Sequence, residues 1–168
     1  MDPARTLLMP LIAAVLSGCF ASETPLIADK DAVAPYAVIT FRETDSDEAQ
    51  TLRRSGTAYV SDDEDIDLVV RFMPLAERGW DTGWYVAEAT GSRDGEVMRI
   101  YAVVEADFDD LTAATYVAVA DDGDTGEGLA GCGDGIVCID SLNAYLDFAR
   151  AKIDDGADPD TEYDITLE

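Results

Sequence analysis

The side chains that could carry out chemistry in this chain are carboxylates and thiols. The 168 residues include 36 Asp and Glu, three Cys and no His. Without His, the chain lacks the most frequent general base, the most frequent metal ligand and every Ser–His or Cys–His nucleophilic pair. Lys30 and Lys152 are the two lysines, and neither lies in a segment expected to bury an amine. Any catalysis would therefore depend on carboxylates.

Paired carboxylates can perform the acid–base chemistry of glycoside hydrolysis. The chain offers many such pairs, and its sequence singles out none of them. Glu88 stands between Ala87 and Ala89 in a predicted strand, and a rim or solvent-facing position is favoured for it. We therefore predict no catalytic residue and a non-enzymatic role, and we keep a carboxylate-based hydrolase as an alternative.

Two acidic loops could attract a cation or a basic protein. One is an unbroken run between two predicted strands, and the other resembles a calcium loop in its acidic alternation. The calcium pattern fails because Gly126 occupies the third acidic position and no Glu stands at the twelfth. Solvated loops are thus favoured, and no metal or cofactor is predicted. The candidate partner- or cation-binding residues are Asp62, Asp63, Glu64, Asp65, Asp122 and Asp124.

Two of the three cysteines, Cys132 and Cys138, stand six positions apart in a glycine-rich segment. In an oxidising compartment this spacing favours a disulfide that closes a small loop. A metal site is disfavoured because two thiolates need further ligands and the chain has no His. We predict a Cys132–Cys138 disulfide that ties the loop 121–135 to the start of a following helix.

The elements that would carry these residues are mainly strands. Apolar and polar residues alternate over 66–73 and 97–106, which is the period of a half-buried strand. Asp94-Gly95 suits a tight turn, so residues 83–106 are predicted to form a hairpin. The remaining predicted strands are 36–42, 56–60, 115–120 and 163–167.

The period then changes to that of a helix. Asp140 or Ser141 can cap its N-terminus and Gly156 can end it. One apolar face is formed by Leu142, Tyr145, Leu146, Ala149 and Ile153. The predicted fold class is α+β, with a mainly antiparallel sheet and one C-terminal amphipathic helix packed on a face.

The N-terminus has the pattern of an export signal. Its apolar core, residues 7–16, would be about 15 Å long as a helix, roughly half of a bilayer's hydrocarbon thickness. Leu16-Ser17-Gly18-Cys19 follows and resembles the lipobox of bacterial lipoproteins. The resemblance implies that residues 1–18 are a cleaved signal peptide and that Cys19 becomes the lipidated N-terminus. Ordinary secretory cleavage after Ala21 is the alternative.

The lipobox resemblance also implies a location and a layout. Phe20 follows the cysteine, where an Asp would retain a lipoprotein at the inner membrane, so we expect an outer-membrane anchor facing the periplasm. Residues 19–35 are predicted to be the acylated N-terminus and a tether. Residues 36–168 are predicted to form a single periplasmic or extracytoplasmic domain.

An aromatic group lies near the start of the predicted hairpin. Trp80, Trp84 and Tyr85 could stack on a carbohydrate or peptide, although such residues more often fill a sheet core. The segments Gly83–Ala87 and Cys138–Leu142 are similar to parts of small proteobacterial lipoproteins. That family has no assigned activity, so the similarity implies a layout and no chemistry.

The net charge of −25 limits the classes of partner. Such a field repels nucleic acids and anionic lipid headgroups and favours cations and basic proteins. We predict a membrane-anchored envelope lipoprotein with a non-catalytic binding or scaffolding role. Its expected partners are the lipid bilayer, through the acyl anchor, and a basic protein or cation. The alternatives are an inhibitor of a basic protein and the carboxylate-based hydrolase.

Overall fold

The computed structural model describes residues 18–93, 95–121 and 123–168. The apolar core of the predicted signal and the candidate Asp122 lie outside the described residues. Among the described residues, no helix is long and apolar enough to span a membrane. The strands are β1 (Phe20–Ala21), β2 (Val38–Glu43), β3 (Ala49–Ser55), β4 (Ala58–Ser61), β5 (Leu68–Pro74), β6 (Trp84–Arg93), β7 (Glu96–Asp107), β8 (Thr112–Tyr116), β9 (Leu129–Gly133), β10 (Ile136–Ile139) and β11 (Thr161–Leu167), and the helix is α1 (Leu142–Asp154).

Eight of these strands form a closed antiparallel barrel. Strands β2 to β8 follow one another as antiparallel neighbours, and β11 closes the barrel by pairing with both β8 and β2. The predicted α+β class is therefore wrong, because the antiparallel sheet closes into a barrel and, of the described residues, 47% are strand and 11% helical. The cause is the pairing of β11 across the barrel, which joins strands that are distant in sequence.

The alternation of side chains decides which residues face the barrel interior. On β5, Leu68 and Val70 are buried and point inward with Phe72, as the sequence pattern predicts. On β7, Ile100, Ala102 and Val104 also point into the barrel interior. The predicted hairpin is confirmed, since β6 and β7 pair continuously from Trp84 opposite Glu105 to Arg93 opposite Glu96.

A second layer covers the outer face of β6 and β7. It consists of α1, β9, β10 and the N-terminal residues, and its core is a single buried cluster. Ser141 caps α1 by accepting a hydrogen bond from the Ala144 amide at 3.2 Å, as expected. The predicted Cys132–Cys138 disulfide is present and joins β9 to β10. The loop predicted over 121–135 therefore contains a strand at its end.

The N-terminal residues 19–35, expected to be a tether, pack against the barrel. Cys19, Phe20 and Ile27 are each at most 2% exposed. Strand β1 pairs in parallel with β10 and touches β7 through Ala21 opposite Ile100. Cys19, Phe20 and Ile27 are apolar enough to be buried, although the polar residues and two prolines of the segment favoured a tether.

Candidate functional site

The barrel interior contains a cavity of about 130 Å³. Its wall is formed mainly by inward-facing side chains from the barrel strands, and most of the lining residues are apolar. Alanines at three places along β6 and β7, together with Ala113 on β8, leave the space that larger residues would fill. The apolar lining consists of Phe41, Leu52, Leu68, Val70, Phe72, Ala87, Ala89, Ile100, Ala102, Val104, Ala113, Ala118 and Val119.

A smaller cavity of about 40 Å³ continues the barrel interior. Phe41, Phe72 and Val104 line both spaces. The rings of Tyr36 and Phe108, 5.3 Å apart between centroids, line the smaller one. The barrel interior is thus an apolar column with two spaces in series.

The larger cavity has a polar group of residues in its lining, where β8 ends and β11 begins. Thr115 on β8 lies opposite Thr161 on β11, and Tyr163 is the next inward residue along β11. Asp160 immediately precedes β11 and is exposed, so the cavity lining reaches the protein surface there. Hydroxyl groups and one carboxylate are therefore available beside an apolar space.

The backbone after β8 fixes the Asp160 carboxylate. Val117 adopts a left-handed conformation with φ of 54°, and its carbonyl accepts a hydrogen bond from Tyr145 at 2.9 Å. The chain turns so that the amide of Ala118 donates to Asp160 Oδ2 at 2.8 Å, and the Val119 amide is also bonded to this side chain. Asp160 is only partly buried, but the resulting desolvation raises its pKa more than the two amide bonds lower it.

Cys19, the predicted lipidation site, also lines the larger cavity. Burial raises the pKa of its thiol. Its carbonyl accepts the Val137 amide at 2.8 Å, which aligns β1 with β10. Before it, Gly18 has φ of 98°, and a β-carbon there would lie 2.8 Å from the carbonyl oxygens of Ala120 and Gly135. A glycine is therefore required at this position of the folded chain.

Glu88 holds the N-terminal segment against the outer face of the barrel. Its side chain is fully buried, so the solvent-facing interpretation is wrong. Glu88 Oε2 accepts hydrogen bonds from the Tyr101 hydroxyl at 2.7 Å, the Leu26 amide at 2.8 Å and the Ile27 amide at 3.2 Å. Arg71 Nη1 lies 3.5 Å from Glu88 Oε1. These partners explain how a carboxylate can be buried, because its oxygens are satisfied.

The predicted acidic candidates lie in two surface loops. Asp62 pairs with Arg53, and Asp63 Oδ1 accepts the Asp65 amide at 3.0 Å within the turn before β5. Asp124 is 8% exposed and forms an ion pair of 2.8 Å with Lys152 of α1. Among the residues that the structure describes, no group of three or more acidic, Cys or His side chains could hold a metal ion.

The aromatic group divides between the two sides of the barrel wall. Trp80 and Trp84 pack on the outer cluster, with Arg150 lying 4.7 Å from the centroid of the Trp80 ring. Tyr85 points inward and lines the smaller cavity. Sequence reasoning missed the polar residues at 160, 161 and 163, although the alternation of the last strand places two of them on its inward face.

Comparisons with known proteins leave the cavity as the main guide to function. No family model, curated protein or solved structure matches this chain. The lipobox resemblance and the similarity to small proteobacterial lipoproteins therefore remain predictions.

Replacing Glu88 tests its role in holding the N-terminal segment. Glu88→Gln keeps one carbonyl acceptor but removes the charge, so we expect the Leu26 and Ile27 amides to exchange with deuterium about 10- to 100-fold faster. Mass-resolved hydrogen exchange measures this. Glu105→Gln, which alters an exposed carboxylate bonded to Tyr116, is the matched control. Unchanged protection at both amides in Glu88→Gln would contradict the assigned role.

The raised pKa of Asp160 predicts a pH-dependent stability. Because the folded chain favours the protonated carboxyl, this group makes the wild type lose unfolding free energy as the pH rises through the folded pKa. Asp160→Asn does not titrate, so its stability relative to the wild type should be higher at about pH 7 than at about pH 3. Denaturant unfolding at both pH values measures the difference. Asp158→Asn removes the same charge outside the cavity lining, and an equal pH effect in that control would refute the prediction.

Proposed function

We propose that this protein is an envelope lipoprotein, anchored through Cys19, whose barrel binds a small apolar molecule without catalysis. The observation that carries the binding role is the mainly apolar cavity in the barrel, whose lining reaches the surface at Asp160. Eight-stranded barrels have an interior that is either filled by side chains or able to hold one small ligand. In this barrel, the small side chains of Ala87, Ala89, Ala102 and Ala113 leave space for such a ligand.

The volume of the cavity indicates the size of the ligand. An engineered apolar cavity of about 150 Å³ stays dry and binds benzene, so a space of 130 Å³ fits a body of about six carbon atoms. The smaller cavity in series allows a somewhat longer apolar group along the same axis. Ligand sites are typically apolar with a few polar groups that fix orientation, which matches the lining described above.

A hydrolytic role receives no support from the buried carboxylate. Glu88 contacts Arg71, Tyr101 and two backbone amides, and it is not part of the lining of either cavity. Inhibition of a basic protein rests on the net charge alone, because the two acidic loops already hold internal partners at Asp62 and Asp124. Ligand binding in the barrel is therefore the function that we propose.

The anchoring part of the proposal depends on the mobility of β1. The Cys19 side chain is 2% exposed, so its position leaves no room for a diacylglyceryl group on the sulfur. In the lipidated form, residues 19–21 must therefore leave their position. Strand β1 is two residues long and pairs with β7 through Ala21 only. Its displacement would leave all eight barrel strands paired, so an anchored form retains the cavity wall apart from Cys19.

Filling the cavity tests the binding role. Ala102→Leu adds three carbon atoms inside the larger cavity, and we expect it to weaken binding of 1-hexanol by about tenfold or more, since each excluded methylene is worth about 0.8 kcal/mol. Titration calorimetry or NMR shift titration measures the affinity. Ala114→Leu places the same side chain next to an inward residue but outside the described cavity linings, and it should bind as the wild type does. Failure of the wild type to bind hexanol and every other six-carbon amphiphile tested would refute the binding role.

Replacing Cys19 tests the anchor. In a bacterial host that processes lipoproteins, the wild type should fractionate with membranes, whereas Cys19→Ala should remain uncleaved at residue 18 and carry no lipid. Membrane fractionation and the mass of the N-terminal peptide measure both properties. The variant Cys132→Ala/Cys138→Ala keeps the lipobox and should still be membrane-bound. A wild-type N-terminal peptide that begins after residue 21 without lipid would overturn the anchor and leave the binding role untouched.

A further inference from the structure

Charge is distributed unevenly in the lining of the barrel cavity. Among the described lining residues, Asp160 is the one charged side chain, and no Lys or Arg is part of the lining. Asp160 accepts backbone amide bonds and forms no ion pair with a described Lys or Arg side chain. The Lys152 ammonium is bonded to Asp124. The carboxylate is thus available to a cation that enters the cavity.

The hydroxyl groups beside Asp160 suit the same kind of ligand. Thr115 and Thr161 lie next to the Tyr163 hydroxyl, and all three line the cavity. An ammonium group has three donors and no acceptor, so a carboxylate and hydroxyl oxygens together can satisfy it. The carboxylate of an anionic ligand would instead be repelled by the like charge of Asp160.

The field of the whole chain acts in the same direction. A net charge of −25 concentrates cations near the surface and lowers the local concentration of anions. A second carboxylate, that of Asp121, lies close enough to Asp160 to raise its pKa by like-charge repulsion. Anionic amphiphiles such as fatty acids are therefore disfavoured both at the mouth and within the site.

We propose that the barrel cavity selects a small cationic amphiphile, with an ammonium group at Asp160 and an apolar body of about six carbon atoms in the barrel interior. This inference rests on the proposed binding role and specifies its ligand class. Asp160 sets specificity, and the apolar column supplies the burial that drives binding. The ligand enters with its apolar end first, so that the charged end stays where the lining reaches the surface.

Three ligands with the same apolar body test the inference. We expect 1-hexylamine to bind the wild type at least about tenfold more tightly than 1-hexanol, because hydrogen bonds between charged groups are stronger than neutral ones. Hexanoate should show no measurable binding. Added salt should weaken the binding of hexylamine and leave that of hexanol nearly constant. Calorimetry or NMR titration at neutral pH provides all the affinities.

Replacing Asp160 shows whether that residue causes the preference. Asp160→Asn should bind hexylamine and hexanol with affinities within about threefold of each other, because the charge contribution is removed and the apolar contribution stays. Asp158→Asn removes an exposed carboxylate outside the cavity lining and should keep the preference for the amine. Should Asp160→Asn fail to fold, Asp160→Ser removes the same charge and keeps a side-chain oxygen that can accept the Ala118 amide.

The outcomes separate this inference from the proposed function. Binding of hexanol and hexanoate as tight as that of hexylamine would overturn the cationic ligand class and keep the binding role. Preference for the amine that persists in Asp160→Asn would overturn the assignment to Asp160. Failure of all three ligands to bind would overturn the binding role itself.

Discussion

The pairing of β11 with both β2 and β8 is the interaction on which the rest of the structure depends. Five residue pairs join β11 to β2 and four join it to β8. Closure removes exposed sheet edges and makes every inward side chain face a strand across the interior. Phe41 of β2 thereby meets Phe72 of β5 and Tyr163 of β11, with ring centroids 6.2 and 5.9 Å away. An open sheet would leave the same side chains facing solvent, and no cavity would exist.

Closure also leaves the outward face of β6 and β7 to be covered. Val86 and Val103 are outward and fully buried, because the N-terminal segment and α1 pack over them. A barrel strand with apolar residues on both faces has no simple alternation, and this explains why Glu88 looked like a rim residue. Its burial is stable because the segment that covers it also supplies two amide donors, those of Leu26 and Ile27.

Local sequence patterns predicted most of the individual elements. They failed for those features of the fold that depend on pairing between segments distant in sequence. The faces of β5 and β7, the capped helix and the Cys132–Cys138 disulfide follow from periodicity and spacing. Strand β3 was missed because Gln50, Arg53 and Arg54 leave Leu52 as its one fully buried residue. The barrel class and the polar residues around Asp160 depend on contacts between β8 and β11, whose residues are more than forty positions apart. No local window contains that information.

Two residues beside the cavity mouth, Val117 and Asp160, have a conformation or a charge that reduces the stability of the fold. Val117 is a β-branched residue in the left-handed region, and partial burial raises the pKa of the Asp160 carboxyl, which has no counter-ion among the described side chains. Both features reduce stability, and both belong to the same turn, in which the strained residue directs two amides to the carboxylate. Packing alone would be served better by an uncharged residue at this place. Strain and an unpaired charge that occur together beside an apolar space are the pattern expected of a binding site, where stability is reduced in favour of recognition.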